Sequence, residues 1–285
     1  MADSSKELSI KEIKSVLLDM IEAFHEVCEA NGLRYYLCGG TLLGAARHKG
    51  FIPWDDDADV FMPRPDYMRF VELTKGGLGT FYQVKSHYFC KNYTFPFIKI
   101  CDSRTVGVGC EKIIDESLGV ALDVFPIDGI SSNDSVFGRQ MTKVKYLRRL
   151  SNYSRFRYAS PSDFFENNSK RHFIHNAVLM SSLFVVARLF GYGFFVRQID
   201  KCARKNDYDA SEMVGVVVWG YYHRERIPKD CLEPYAMLPF ETRQFRVPGK
   251  YHEYLTSLYG DYMTPPPPDK RKSDHNIAYY WKAPI

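Results

Sequence analysis

The chain of 285 residues carries 38 basic and 34 acidic side chains, a net charge of +4, and 45% hydrophobic residues. This length and composition are typical of a globular protein with one large domain, or with a domain and an added subdomain. The near balance of charge excludes a dedicated nucleic-acid-binding protein, which would be strongly basic, and agrees with a protein that handles phosphates or touches an anionic membrane surface.

The cysteines and the N-terminus indicate the compartment. Seven cysteines are present and none forms a Cys-x-x-Cys pair, which argues against a disulfide framework and against a zinc knuckle. The polar residues 1–11 lack the apolar core of a signal peptide. We therefore expect a reduced, cytoplasmic protein.

A capping box opens the first predicted helix, because Ser9 is followed three residues later by Glu12. Apolar residues then recur at helical spacing from Ile13 to Val27. Gly32 supplies the C-terminal stop. The sequence therefore predicts an amphipathic helix over this segment.

Short strands and helices alternate after this helix. Residues 134–206 look mainly helical, and the four prolines at 265–268 predict an extended loop. The apolar stretch 173–196 contains Arg188, so a buried helix is favoured over a membrane span, with a helix lying on a membrane surface as the alternative. We predict strands at 33–38, 57–62, 82–86, 95–101, 120–125 and 214–219, and helices at 42–48 and 64–73.

An acidic cluster lies at the edge of the predicted core, where Asp55, Asp56, Asp57 and Asp59 fall within five positions. In a strand, every second side chain shares a face, at a spacing of roughly 6.6 Å. Asp55, Asp57 and Asp59 would then face the same way, and like charges that close repel each other unless a cation lies between them. Oxygen ligands favour Mg²⁺ or Mn²⁺. The alternative is an acidic loop in water.

Two further features accompany the cluster. The turn Gly39-Gly40-Thr41 lets backbone N–H groups approach a phosphate, and the helix that follows adds its positive N-terminal end. Asp123 interrupts an apolar strand, where a buried carboxylate needs a partner. A metal site would supply that partner, and the alternative is a hydrogen-bonded structural aspartate.

With these motifs the sequence resembles the LicD family. The resemblance rests on residues 39–59, 97–105 and 122–128, and on the segment 259–262, which reads Tyr-Gly-Asp-Tyr and is followed by prolines. It extends from about residue 13 to the end of the chain. It implies an α+β, nucleotidyltransferase-like fold with a mixed β-sheet flanked by helices and a mainly helical insertion or subdomain. We expect a catalytic core at 1–132, a mainly helical region at 133–210 that contacts the acceptor or a membrane surface, and a C-terminal part at 211–285 that completes the active site.

The resemblance also implies an activity. It predicts a magnesium-dependent transferase that passes phosphocholine from CDP-choline to a sugar hydroxyl of a teichoic acid or lipopolysaccharide precursor and releases CMP. Related members, including the fukutin-related proteins, use CDP-alditols, so transfer of ribitol or glycerol phosphate is an alternative. Nucleotidyl transfer from a nucleoside triphosphate is a second alternative, and a catalytically dead binding module is a third.

The resemblance assigns roles to residues. Asp57, Asp59 and Asp123 are the expected metal ligands and catalytic residues, with Asp123 as the candidate general base. Choline is a fixed cation that aromatic rings bind, and Trp54, Trp219, Tyr221 and Tyr222 are candidates for such a cage. The full predicted substrate-binding set is Gly39, Gly40, Thr41, Arg47, His48, Lys49, Trp54, Lys99, Arg104, Trp219, Tyr221, Arg271 and His275.

The expected partners follow from this reading. They are a CDP-linked donor and a lipid-linked glycan acceptor, and no nucleic-acid partner is expected. A lipid-linked acceptor predicts that the protein lies in the cytoplasm, at the inner face of the membrane. A basic segment would then contact the anionic membrane at its periphery, and a solvated helix face is the alternative. The segment comprises Lys143, Lys145, Arg148, Arg149, Arg155 and Arg157.

Overall fold

The structure is a computed structural model that describes residues 6–75, 77–91, 93–108, 118–155, 184–272 and 277–282. His275, Arg157 and the first part of the apolar stretch 173–196 lie outside the described residues.

The described residues form helices and strands that alternate along the chain. The helices are α1 (Ile10–Ala30), α2 (Gly39–His48), α3 (Arg64–Leu73), α4 (Asp134–Arg155), α5 (Tyr192–Ala203) and α6 (Tyr251–Tyr259), with a further helical segment at 184–190. The strands are β1 (Tyr36–Leu37), β2 (Ala58–Pro63), β3 (Tyr82–Lys85), β4 (Ile98–Asp102), β5 (Thr105–Val108), β6 (Ala121–Ile130), β7 (Met213–Gly215), β8 (Ile227–Pro228), β9 (Ala236–Phe240), β10 (Arg243–Val247) and β11 (Ala278–Trp281).

A mixed sheet organises these elements, in the order β1-β2-β6-β4-β3, with β7 and β8 continuing from β6. Strands β2 and β6 pair in parallel, and the other pairs in this sheet are antiparallel. Two small sheets join β9 to β10 and β5 to β11. The predicted fold class, α+β with a mixed sheet flanked by helices, is confirmed, and the predicted domain boundaries stay a prediction.

Helix α1 begins at the predicted capping box, which is confirmed. Ser9 accepts a hydrogen bond from the backbone N–H of Glu12 at 3.3 Å, and the Glu12 carboxylate accepts one from the N–H of Ser9 at 2.9 Å. Further along, Phe24 is fully buried and meets Phe70 of α3, with ring centroids 5.2 Å apart. Helices α1 and α3 therefore pack together, with α1 against β4 and β6 and α3 against β2 and β6.

The bounds of single helices and strands are predicted best where neighbouring residues in the sequence determine them. The helix predicted from Arg64 is α3, with its proline in the first turn. The strand predicted at 57–62 begins one residue later, at Ala58. Asp55 precedes it in a turn, where its backbone N–H donates to the carbonyl of Ile52 at 3.0 Å. The assumption that Asp55, Asp57 and Asp59 alternate within one strand was therefore wrong.

The C-terminal third holds more strand than predicted. The strand expected at 214–219 is the shorter β7, and the hairpin of β9 and β10 was not anticipated. Within the described part of the apolar stretch 173–196, some apolar side chains are buried and others are exposed. Phe195 is buried, whereas Leu189 and Phe190 are 78% and 57% exposed. None of the helices formed by the described residues has the length and hydrophobicity to cross a membrane.

A buried ionic network ties the helical region to the sheet. Arg64 of α3 forms two hydrogen bonds with Asp128 of β6, at 2.6 and 2.8 Å, and a third with Asp200 of α5 at 3.0 Å. All three side chains are nearly inaccessible to solvent. Burial alone would raise the pKa of Asp200, but His87 and Arg64 outweigh it and lower the pKa to about 2. The network therefore stabilises the fold only while Asp200 is ionised.

We predict that Asp200→Asn lowers the free energy of unfolding by about 2 kcal/mol at pH 7, the value that a pKa drop of this size implies. A carboxylate with a lowered folded-state pKa stabilises above its unfolded pKa, near 4, and loses that effect as the pH falls towards 2. The difference in free energy of unfolding between the variant and the wild type should therefore become smaller as the pH falls. Urea unfolding from pH 7 to pH 3 measures this difference in the free energy of unfolding, and Asp209→Asn, at an exposed position, is the control. A difference that does not change with pH would contradict the stabilising role of ionised Asp200.

Candidate active site

Three charged side chains form a row across neighbouring strands. Asp59 of β2 lies directly opposite Asp123 of β6, and Lys99 of β4 lies opposite Asp123 on the other side. Residues paired in this way point to the same face of a sheet. The Lys99 Nζ contacts both Asp123 oxygens, at 2.5 and 2.8 Å. The structure therefore brings the predicted Asp59 and Asp123 together and pairs Lys99 with a carboxylate, in place of the phosphate expected for it.

The N-terminal end of α2 lies against the acidic cluster. A Cβ atom added to Gly39 would lie 3.1 Å from an Asp59 oxygen, and one added to Gly40 would lie 2.9 Å from an Asp55 oxygen. Gly39 also has a positive φ of 52°, which favours glycine. The two glycines thus leave room for carboxylates beside a helix end that carries partial positive charge. The two carboxylates lie beside the turn in which a phosphate was expected, and phosphate binding by this turn stays a prediction.

Thr41 fixes the position of Asp59. Its Oγ1 accepts a hydrogen bond from the backbone N–H of Asp59 at 2.8 Å, and the side chain is buried. The N–H of Cys38 donates to the Asp59 carbonyl at 3.2 Å. The start of α2 and the start of β2 are therefore joined on both sides of the aspartate. This contact positions the backbone of Asp59, and the role of Thr41 in substrate binding stays a prediction.

The electrostatics of the row call for a further cation. Burial raises the pKa of Asp59 well above its ordinary value, and the charges of Asp57 and Asp123 raise it further, while Lys99 opposes them. Carboxylate oxygens are ligands that Mg²⁺ or Mn²⁺ prefers. Among the described residues, no group of three or more His, Cys, Asp or Glu side chains is gathered as metal ligands. The chemistry of the donors fits a divalent ion, and Lys99 presently holds both oxygens of Asp123.

Two residues missed by the sequence prediction hold the loop before the aspartates. Lys14 of α1 donates to the carbonyls of Ile52 and Pro53, at 2.8 and 2.9 Å. Glu241, between β9 and β10, accepts a hydrogen bond from the N–H of Phe51 at 2.9 Å. Since both partners are backbone groups of the loop and are distant in sequence, no local signal could have identified them.

A second side of the site is basic. Arg47, near the end of α2, donates to the Tyr262 carbonyl at 2.7 Å and to Nε2 of His48 at 2.9 Å. Burial lowers the pKa of Arg47, and the nearby charge of Arg271 lowers it further. Arg271 lies over the ring of Trp54, 5.6 Å from its centroid. Within the described ranges, neither guanidinium forms an ion pair with a carboxylate, so the two together favour an anionic ligand.

The remaining predicted residues, Arg104, Lys49 and Trp219, have different surroundings. Arg104 is bonded to the buried Asp102, with nitrogen–oxygen distances of 2.5 and 3.0 Å at the turn between β4 and β5. Lys49 is exposed and ends α2 in a left-handed conformation, with a φ of 57°. The ring of Trp219 packs on Phe97 with centroids 5.4 Å apart, and the guanidinium of Arg148 covers it at 3.9 Å.

A pair of tyrosines borders the carboxylates. The rings of Tyr221 and Tyr259 meet edge to face, 6.0 Å between centroids. Burial raises the pKa of Tyr259, and the neighbouring Tyr221 and the charge of Asp59 contribute. The backbone N–H of Tyr221 donates to Glu225 at 2.6 Å, and burial raises the pKa of this carboxyl to about 8. Tyr259 lies within the Tyr-Gly-Asp-Tyr segment and could have been found there, whereas nothing in the sequence marked Glu225.

Comparisons with known proteins agree on one family. Residues 32–173 match the family model described as LicD/FKTN/FKRP, nucleotidyltransferase domain. The lipopolysaccharide cholinephosphotransferase LicD of Haemophilus influenzae is 31% identical over 282 residues, which cover 95% of this chain and 97% of that protein. The ribitol 5-phosphate transferase FKRP of Homo sapiens is 65% identical over 34 residues, which cover 12% of this chain and 7% of that one.

We predict that Thr41→Val, which keeps the side-chain shape and removes the hydroxyl, lowers the free energy of unfolding by about 1–2 kcal/mol. The reason is that the buried N–H of Asp59 loses its acceptor. Urea unfolding measures this change. Thr41→Ser retains the hydroxyl and should keep the hydrogen bond, so equal losses in the two variants would show that the bond contributes nothing.

Proposed function

Since the chain belongs to the LicD family, we propose that it is a transferase for substituted phosphate groups and that it passes phosphocholine from CDP-choline to a sugar hydroxyl of a teichoic acid or lipopolysaccharide precursor. The observation that carries this proposal is the row formed by Asp59, Asp123 and Lys99 on one face of the sheet. Phosphoryl transfer requires charges placed around the phosphorus more than it requires covalent help from the protein. The likeness over 95% of the chain to a cholinephosphotransferase supports choline as the head group.

The proposed reaction is a displacement at phosphorus. The acceptor hydroxyl oxygen forms a bond to the phosphorus of the phosphocholine group, the bond to the CMP oxygen breaks, and the hydroxyl proton passes to a carboxylate. Asp123 is the proposed base, and Lys99, in contact with both of its oxygens, keeps it oriented towards Asp59. CMP leaves with the electron pair of the broken bond.

Asp57 and Asp59 would hold a divalent ion, with Asp123 as a further ligand. A bound Mg²⁺ or Mn²⁺ supplies charge neutralisation for the donor phosphates and for the attacking oxygen. The raised pKa of Asp59 supports this assignment, because it reports negative charges held close together in a partly desolvated place.

The basic side of the site is proposed to bind the diphosphate of the donor. Burial and the charge of Arg271 lower the pKa of Arg47, so the two guanidiniums lie near each other. Tyr259 acts on the pKa of Arg47, and burial, Tyr221 and Asp59 raise the pKa of Tyr259, which supports a place for Arg47 near the acidic row. A guanidinium can donate two parallel hydrogen bonds to a phosphate. Nε2 of His48 accepts a hydrogen bond from Arg47, so His48 is proposed to orient the Arg47 guanidinium.

The head group is proposed to bind at Tyr221 and Tyr259. The other rings expected in the choline cage already carry a cation of the protein: Arg148 lies over Trp219, Lys145 over Tyr222 at 4.4 Å, and Arg271 over Trp54. For the ranges that the structure describes, no Lys or Arg lies over Tyr221 or Tyr259. A quaternary ammonium is attracted to an uncovered ring and to carboxylates nearby.

A donor with an uncharged alditol head group is the second candidate. It is favoured by the 34 residues at 65% identity to a ribitol 5-phosphate transferase and by the cations that cover three of the four expected cage rings. Such a donor would bind to the same acidic row and the same two guanidiniums, and only the contacts of its head group would differ.

Incubation with Mg²⁺ and a glycan acceptor, with CDP-choline, CDP-ribitol, CDP-glycerol or CTP as donor, tests the proposal. We expect CMP release and phosphocholine transfer with CDP-choline. Asp59→Asn should abolish transfer and leave the free energy of unfolding equal or higher, because burial disfavours the charged form of Asp59. Transfer from CDP-ribitol alone would select the second candidate, and pyrophosphate release from CTP would select nucleotidyl transfer.

The head-group assignment has its own test. Tyr221 is half-exposed, so we expect Tyr221→Leu to raise the KM for CDP-choline roughly fivefold, which corresponds to the loss of a cation–ring contact of about 1 kcal/mol. Tyr221→Phe keeps the ring and should preserve the KM. Steady-state CMP release measures both variants. If the leucine and phenylalanine variants behave alike, the ring does not bind the head group.

A further inference from the structure

A groove runs between α4 and α5, away from the acidic row. Its volume is about 460 Å³. The side-chain amide of Gln140 on α4 donates to the Cys202 carbonyl on α5 at 2.8 Å, so the two walls are joined at its floor. Four cationic side chains line it: Arg139, Lys143, Lys201 and Lys205.

These four cations have no carboxylate partner among the residues that the structure describes. The two helices themselves carry one carboxylate each, Asp134 and Asp200. Asp134 is bound to Arg226, and Asp200 to Arg64 and Arg204. The acidic side chains that could have neutralised the groove are therefore engaged on other sides of their helices.

The charges act on the groove floor. Burial raises the pKa of the Cys202 thiol, and the charges of Lys143 and Lys205 oppose that rise. Two lysines from opposite walls thus lie close enough to one side chain to influence it. Neutral donors, the amides of Gln198 and Asn206, complete the lining. Exposed cations usually spread over a surface, whereas here four converge on one concavity of limited volume.

We propose that this groove binds a phosphate ester group, as an anion site separate from the catalytic row. Cationic walls with amide donors match phosphate oxygens in charge and in hydrogen bonding. The groove volume admits one phosphate-bearing head group and is too small for a nucleic-acid strand. The nearly balanced charge of the whole chain also agrees with a single small anion site rather than an extended basic surface. The same chemistry is offered by an anionic phospholipid head group and by a free phosphate, and the experiment separates these two sources.

The site is independent of the proposed function. The groove is built by α4 and α5, whereas the acidic row is built by β2, β4 and β6. Loss of phosphate binding in the groove would leave the assignment of the row unaffected, and failure of phosphocholine transfer would leave the groove unaffected.

Two probes test the inference on the full chain. The first is inorganic phosphate, followed by titration calorimetry. The second is sedimentation with vesicles of phosphatidylcholine, compared with vesicles that contain phosphatidylglycerol in addition. Lys143→Gln combined with Lys201→Gln removes one charge from each wall, and the control combines Lys11→Gln with Lys75→Gln, which removes two exposed charges elsewhere.

We expect the wild type and the control to bind at least one probe, and the groove variant to bind that probe roughly thirtyfold more weakly, which is the loss of two cations that each contribute about 1 kcal/mol. Binding to phosphatidylglycerol vesicles alone identifies a lipid head group as the source, and binding to inorganic phosphate identifies a free phosphate. Equal binding by the groove variant and the control overturns the inference, and so does wild-type binding to neither probe.

Discussion

The register between β2 and β6 is the constraint on which the rest of the site depends. In this parallel pair Asp59 lies opposite Asp123 while Val60 lies opposite Val124, so the carboxylates and the valines lie on opposite faces of the strands. Val60 and Val124 are fully buried, and a slip by one residue would place the carboxylates on that apolar face. The buried valines therefore fix the face on which the carboxylates lie, and β4 adds Lys99 to the same row because its own register is set against β6.

The parts of this arrangement that the sequence predicted are those with local causes. The capping box at Ser9, the proline in the first turn of α3 and the apolar run around Asp123 each act within a few residues, and each produced the element expected. The ion pair of Lys99 with Asp123 depends on pairing between strands that are distant in sequence, so no pattern within β4 could reveal it. The choline cage stays a prediction, and the position of Arg148 over Trp219, which bears on it, depends on how α4 packs.

The candidate site combines two sides of opposite charge, and the proposed diphosphate donor would use both. Carboxylates alone would repel the donor, and guanidiniums alone would leave a divalent ion without ligands. The two sides come from different parts of the chain: the aspartates from β2, β6 and the loop before β2, and the guanidiniums from the end of α2 and the C-terminal loop. Tyr259 contacts Tyr221, with ring centroids 6.0 Å apart. Membership of the LicD family and the physical arrangement thus lead to the same class of chemistry by separate routes.

The buried Arg64 joins three elements that are distant in the chain, α3, β6 and α5. If α5 detached, this guanidinium would remain buried after losing Asp200, one of its two carboxylate partners, which would destabilise the folded state. Local opening of the helical region is therefore coupled to opening of the sheet, and the amides of α5 should exchange with solvent deuterium at the rate of global unfolding. The helical region and the catalytic sheet then form one cooperative unit, in which a mutation in either is felt by both.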